Sequence, residues 1–534
     1  MGGMRRGNGS EGESGGGNPS EELRTMSEGN RVYQLTDKDM HLYTQARTTL
    51  SDFQTPKLVS LVEPTAERPG SRLFVAAFDG TGNDADNDPV KNQTNVAHIR
   101  KEIEASRTSG ATNGNVAVGY LRGPGTQGNA LPLGHEDRAV GASVSATRDS
   151  MRGSTTQERA ERMYDKFCTQ ATVWKSEHPK CEIAVSSVGF SRGAEEAALF
   201  TRLVHERGIR NMNVTDVKAD GAYLVPPKPY GQTAQTVVLF DPVATGTTER
   251  LDRHLPSSVI SGIQLYAGDE KRNLFKGDPI IPAVKPGDPA PKEHVEGTGP
   301  QSRLVGLMMP GSHSDVGGSY ALNGASARAG NFGVDYLNSL SDKPFISNIK
   351  EPAREDTYRH NSMDAGGSSM VWTLYKANNT GSMYRHWTGP IDRKDTTPGS
   401  RAYVNQERPD PVNPALSSKY AFTGSITHNS KPPQEMGNAS RPEATNARND
   451  QAPRQGTSRE STDSVLNTLS RAASSNDMNM AQAVLSNSSN PALAAREQGA
   501  QAQASQRQQA QQSAEPQPQR EPTPPTQNAG QPRR

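Results

Sequence analysis

Between about residues 70 and 345, short apolar runs alternate with stretches in which apolar residues recur at helical spacing. Leu73-Phe74-Val75-Ala76-Ala77-Phe78 is the first run. Val116 to Tyr120, Ile183 to Val188, Val237 to Phe240, Ile263 to Tyr266 and Leu304 to Met309 follow it. Runs of this length predict strands buried on both faces. Ser154 to Trp174 and Ala194 to Arg207 carry helical patterns. The alternation predicts an α/β domain, a mainly parallel sheet flanked by helices. Ahead of it, Met40, Leu42, Tyr43, Ala46 and Leu50 predict a short helix packed on the domain.

The two ends of the chain lack such patterning. Residues 1–28 are rich in Gly, Ser, Asn and Glu, which predicts a disordered segment. Residues 430–534 form a low-complexity tail, with eleven glutamines between Gln501 and Gln531. One amphipathic helix could form within it, from Val465, Leu466, Leu469 and Ala472 with Met478 to Leu485. The tail is also a candidate secretion signal. Between these ends, residues 29–425 read as one catalytic domain. The Pro-, Gly- and Lys-rich segment 276–301 is expected as a lid or surface insertion. Trp372, Tyr375, Tyr384, Trp387, Tyr403, Tyr420 and Phe422 are expected to complete the fold.

Composition narrows the function class. Apolar residues make up 32% of the 534, a deficit concentrated at the ends. Lys and Arg number 59 against 58 Asp and Glu, which gives no support to nucleic acid as the partner. No 18-residue apolar stretch exists. Met1-Gly2-Gly3-Met4-Arg5-Arg6 leads into small and polar residues, unlike an ordinary secretory signal. Arg6 stands where N-myristoylation wants Ser or Thr. The expectation is a protein made in the cytoplasm and exported, if at all, without a signal peptide. Cys168 and Cys181 are expected as free buried thiols; the alternative is a disulfide joining a helix end to the strand 183–188.

The chemistry centres on Gly189-Phe190-Ser191-Arg192-Gly193, which lies between the run Ile183 to Val188 and the helical pattern from Ala194. Strand, tight glycine-flanked turn and helix are the context of a nucleophile elbow. A serine hydroxyl needs a base, and the base needs an orienting carboxylate. In hydrolase chain order, Asp241 follows the run Val237 to Phe240, and His313 follows Leu304 to Met309. Ser191, Asp241 and His313 are therefore the expected triad. Asp315 and then Asp269, with Glu270 beside it, are the alternative acids. An oxyanion hole needs two backbone N–H groups. Arg192, directly after the serine, should supply one, and the loop Asp79-Gly80-Thr81-Gly82-Asn83 the other.

Two further patterns carry less. Gly123-Pro124-Gly125-Thr126-Gln127-Gly128 matches G-x-G-x-x-G, but it contains a proline and opens no helical pattern, so a nucleotide is not expected. Asp84, Asp86 and Asp88 resemble the start of a calcium loop, without its sixth-position glycine or twelfth-position glutamate. No cofactor is expected; a calcium ion at those aspartates is the alternative.

Taken in order, Phe78 to Asn83, Gly123 to Thr126, Gly189 to Ala194, Phe240 to Val243, Tyr266 to Arg272 and His313 to Gly318 resemble the catalytic domain of the first class of bacterial type VI secretion lipase effectors. The resemblance covers about residues 70–400. It implies an α/β-hydrolase-like fold and an antibacterial phospholipase that cleaves acyl esters in a rival cell's envelope. It further implies Ser191, His313 and Asp241 as the triad, and Gly80 and Thr81 in the oxyanion loop. The implied partners are membrane phospholipid, a cognate immunity protein and secretion-system components. The glutamine-rich tail is also similar to the C-terminal regions of toxins delivered by a type IV system, so both delivery routes stand. A soluble carboxylesterase or thioesterase, and a non-catalytic adaptor on a degenerate hydrolase domain, are the competing readings.

Overall fold

The computed structural model describes residues 31–63, 65, 70–127, 149, 153–244, 248–272, 275–297, 299–362 and 409–426. Its centre is a sheet of six parallel strands: β1 (Ser71–Phe78), β2 (Val116–Leu121), β3 (Glu182–Phe190), β4 (Gln235–Phe240), β5 (Val259–Ala267) and β6 (Leu304–Met309). They are arranged in the order β6-β5-β4-β3-β1-β2. All six apolar runs of the sequence are thus strands, each within a few residues of its expected bounds.

The helices are α1 (Asp37–Ser51), α2 (Asn95–Thr108), α3 (Thr156–Glu177), α4 (Arg192–Arg207), the short α5 (His313–Gly317), α6 (Gly324–Ser339) and, among the described residues, a last single turn, Pro414–Ser417. Alternation along β1 sends its side chains to two separate cores. Leu73, Val75 and Ala77 join Val96, Ile99 and Ile103 of α2 and Phe332 and Leu337 of α6. Phe74, Ala76 and Phe78 join Met163 and Phe167 of α3 and Ala197 and Phe200 of α4. The second core is knit by aromatic contacts, Phe74 on Phe167 at 5.3 Å and Phe78 on Phe200 at 5.9 Å between ring centres. Burying each such ring is worth about 1.5–3 kcal/mol.

Helices α2, α5 and α6 lie outside the helical patterns read from the sequence. Helix α6, GASARAGNFGVDYLNS, is buried over nearly its whole length, and its polar stripe of Arg328, Asn331, Asp335 and Asn338 is covered by residues 346–351. The expected N-terminal helix is α1. Thr36 caps it and exchanges hydrogen bonds with Asp39, while Tyr43, Ala46 and Leu50 face the core.

Two peripheral strand pairs tie the N-terminal segment down. Arg31–Gln34 pairs antiparallel with Tyr358–Asn361, and Gln54–Pro56 with Phe422–Ser425. Tyr420 and Phe422 pack against the first core, while Trp372, Tyr375, Tyr384, Trp387 and Tyr403 lie outside the described residues, as do the terminal segments. The segment following Lys276 runs along β6. Ala283 bridges Gly306, and Gln264 holds the Asp278 carbonyl and the Ile281 amide. It continues into a hairpin of Lys292–Val295 and Gly299–Ser302. Cys168 and Cys181 are free, buried thiols. No described helix is long and apolar enough to cross a membrane.

The strand order sets where a ligand can bind. From β1 the chain moves outward to β2, then returns to the other side of β1 for β3 and continues away through β4 to β6. The loops after β1 and β3 therefore diverge at the carboxyl ends of two neighbouring strands, the topological switch point where open α/β sheets bind ligands. Helix α4 begins hard against this point. A Cβ on Gly193 would lie 2.4 Å from the Phe78 carbonyl oxygen and 2.5 Å from that of Asp79. Gly193→Ala is expected to lower the unfolding free energy by about 1–3 kcal/mol through overpacking, read from urea denaturation. An unchanged midpoint would mean that α4 moves off β1 without cost.

Candidate functional site

Strand β3 ends at Phe190, and α4 starts at Arg192, so Ser191 alone makes the turn. Its backbone sits at φ 58°, ψ −127°, a region that a residue with a Cβ enters at a cost of order 1–3 kcal/mol. Neighbouring glycines permit the tight geometry: a Cβ on Gly189 would lie 2.3 Å from the Gly193 carbonyl oxygen. Hydrogen bonds hold the turn in place. The Ser191 N–H donates to the Phe240 carbonyl at 3.0 Å, and its own carbonyl accepts from Ala194 at 3.1 Å.

The loops after β4 and β6 bring Asp241 and His313 together. His313 Nδ1 lies 2.6 Å from Asp241 Oδ2. Asp241 Oδ1 accepts the Ala267 N–H at 2.9 Å, which fixes the carboxylate from the neighbouring strand. Asp241 itself is at φ 42°, a second strained residue at a strand end. An ionised carboxylate only accepts, so this contact places the proton of neutral His313 on Nδ1 and leaves Nε2 as an acceptor. The ring is packed between Phe190, 4.6 Å away, and the edge of Phe275 at 5.0 Å. Phe190 is the residue before Ser191, so the histidine rests on the wall of the elbow. Burial lowers the His313 pKa below its ordinary value, against the opposing bond and charge of Asp241.

The other expected acids are engaged elsewhere. Asp315 holds a different histidine: His360 Nδ1 is 2.6 Å from its Oδ1, and the His360 and Ser312 amides donate to its Oδ2, each at 2.8 Å. Asp269 accepts from the Gly311 amide at 2.8 Å and from Arg359 at 2.9 Å. Both brace the loop that carries His313. Glu270 does so more directly, accepting the His313 N–H at 3.2 Å. Burial alone would raise its carboxyl, but the charge and bonds of Arg272 outweigh that and bring it down to about 2.

In the loop after β1, Gly80 packs on the elbow. A Cβ there would lie 2.5 Å from the Phe190 ring, and one on Gly123 would lie 1.6 Å from the Gly80 carbonyl oxygen. The G-x-G-x-x-G stretch thus braces this loop: Gly123 N–H donates to Asn83 O and Gly82 N–H to Pro124 O, each at 2.9 Å. Asp79 is buried beneath it. Burial pushes its carboxyl up to about 7, against hydrogen bonds from Thr94, Tyr120 and the Gly80 amide.

Arg192 extends its guanidinium to the Asp149 carbonyl at 2.8 Å, and burial pushes its pKa down to about 10. The Asp149 carboxylate accepts from the Gly125 and Thr155 amides at 3.0 and 2.8 Å. The roles of Asp149, of Glu270 at the histidine amide and of Asp79 as an anchor were not read from the sequence, although Asp79 and Glu270 both stood inside motifs. Asp84, Asp86 and Asp88 do not converge. Asp84 accepts from the Asp86 amide, Asp86 pairs with Arg100 at 2.7 Å, and Asp88 accepts the Asp84 amide at 2.7 Å. Among the described residues no three His, Cys, Asp or Glu side chains group as metal ligands.

A parallel sheet of this order, with a serine elbow and a histidine–aspartate pair at its carboxyl end, is an α/β-hydrolase-like arrangement. Residues 72–223 match the family model of the catalytic domain of Tle1-like phospholipase effectors of the type VI secretion system. The resemblance read from the motifs is borne out over that segment. No curated protein matches the chain. Solved structures similar to this chain include two at 18% identity. One is an uncharacterized protein from Pseudomonas aeruginosa, with a TM-score of 0.31, covering 65% of this chain and 54% of that one. The other is a Tle1 effector bound to the VgrG spike of the type VI secretion system, with a TM-score of 0.26, covering 50% of this chain and 57% of that one. The chain thus spans little more than half the length of either.

Followed by NMR, His313 is expected to titrate below the ordinary histidine value of about 6.5. Asp241 favours the imidazolium, so Asp241→Asn should move the titration lower still, while Asp315→Asn should leave it in place. A His313 titration unmoved by Asp241→Asn would contradict the pairing.

Proposed function

We propose that this chain is a serine phospholipase that hydrolyses acyl esters of membrane phospholipids, with Ser191 as nucleophile, His313 as base and Asp241 as its orienting acid. The observation that carries the reading is the 2.6 Å His313–Asp241 pair lying against Phe190, the residue that leads into the elbow serine. The match of residues 72–223 to a phospholipase effector domain supports that substrate class.

In this reading Ser191 Oγ attacks the ester carbonyl while His313 Nε2 takes its proton. The Arg192 amide and the loop after β1 face the developing oxyanion. His313 then passes the proton to the departing lysophospholipid oxygen, leaving an acyl-serine. Water, deprotonated by the same histidine, releases the fatty acid and restores the serine. As a type VI effector, the protein would act in the envelope of a rival cell, and its producer would need an immunity protein.

Fatty-acid release from phosphatidylglycerol and phosphatidylethanolamine vesicles tests this. Ser191→Ala is expected to abolish release; equal release by wild type and variant would overturn the reading. Preference for short water-soluble esters over vesicles would instead assign a soluble esterase. Asp241→Asn should lower kcat by about 10⁴-fold, by analogy with other triads, whereas Asp315→Asn and Asp269→Asn should lower it by less than about tenfold. The acid limb of kcat/KM should fall below about pH 6.5, because His313 is buried and stays neutral to lower pH than an exposed histidine.

A further inference from the structure

Asp79 opens the Asp79–Asn83 loop and has no part in the chemistry described above, yet it is 1% exposed and takes three hydrogen bonds. Gly80 N–H reaches its Oδ1 at 2.8 Å, Thr94 Oγ the same oxygen at 2.7 Å, and Tyr120 Oη its Oδ2 at 2.8 Å. Both hydroxyls also accept a bond from a backbone amide. Thr94 Oγ, the cap of α2, accepts the Ala97 N–H at 3.0 Å, and Tyr120 Oη accepts the Ala85 N–H at 2.8 Å. An ionised Asp79 only accepts, so each hydroxyl directs its own proton at it. Three donors from three elements, namely α2, β2 and the loop itself, converge on one acceptor.

This arrangement also decides which loop amide can serve a ligand. Gly80 N–H is taken by Asp79, Gly82 N–H by the Pro124 carbonyl and Asn83 N–H by the Gly80 carbonyl. Among the described residues, the Thr81 N–H has no partner, and neither has its buried hydroxyl. Leaving such groups unpaired costs about 1–3 kcal/mol each, a cost that sites bear where a ligand completes them. The loop touches both sides of the elbow: Gly80 lies on the Phe190 ring, and the Asp79 carbonyl lies against Gly193.

We infer that Asp79 is a positioning residue: by capturing the Gly80 amide and the Thr94 and Tyr120 hydroxyls, it turns the Thr81 amide, not that of Gly80, toward the oxyanion formed at Ser191. This rests on the serine-hydrolase reading above, and the experiment separates the two. In the full chain, kcat and KM are measured on a soluble p-nitrophenyl ester for wild type, Ser191→Ala, Asp79→Asn and Tyr120→Phe. Inhibition by an alkyl boronic acid, which forms a tetrahedral adduct on the serine, is measured alongside binding to vesicles of a non-hydrolysable ether phospholipid. Asp79→Asn should lower kcat by about 10–100-fold with KM changed by less than about twofold, and should weaken the boronate in parallel, as loss of an oxyanion donor does. Binding to the ether lipid should not change. Tyr120→Phe should act in the same direction and more weakly, and it decides the matter if Asp79→Asn does not fold. Folded variants that keep wild-type kcat and boronate affinity would overturn the inference, as would a loss of kcat that only follows the folded fraction in thermal melts. An active Ser191→Ala would overturn the hydrolase reading itself.

Discussion

The site depends on one strained residue. Ser191 is held at positive φ because β3 and α4 are pressed together at its two sides, and nothing local to a serine would choose that conformation. The strain is carried by packing elsewhere: α4 on the end of β1, the Ser191 amide on the Phe240 carbonyl, and a second core of aromatic rings beneath the helix. The reward is positional. A side chain at the crest of such a turn stands clear of the sheet, at the start of a helix whose first amides have no partners within the helix.

Much of the frame was legible in the chain. A parallel strand is covered on both faces, so it reads as an unbroken apolar run, and six such runs mark the six strands of the sheet. The order of motifs also carried the candidate residues, because in a sheet of this topology successive strand ends converge on one edge. Helix α6 was less legible. Its polar side chains do recur at helical spacing, but they are turned to residues 346–351 instead of solvent, and the glycines and alanines between them give the apolar side little contrast. Helix α2 was missed although Ile99 and Ile103 are spaced for one face, because few apolar residues accompany them in a largely polar segment.

The supporting contacts were less legible still. Asp315 lies two residues from His313 and yet serves His360, while Asp241 is 72 residues away and makes the contact. Proximity along the chain said little, because α5 turns its successive side chains in different directions. Asp149 and Glu270 receive the backbone amides of Gly125 and His313 from segments well apart in the chain, and a carboxylate that receives amides leaves no trace in residue type or spacing. The two polar layers differ in kind as well. Near His313 the partners are charged and mutually opposed, whereas beneath the Asp79–Asn83 loop hydroxyls and amides surround a single carboxyl.

Phe190 gives the arrangement a mechanical property. One face of its ring backs His313, its edge meets Gly80, and its backbone continues directly into Ser191. The three parts therefore share a single keystone rather than three independent mounts. A disturbance at this ring would displace Ser191, His313 and the Asp79–Asn83 loop in concert. One side chain thereby couples the positions of three segments that come from the ends of three different strands.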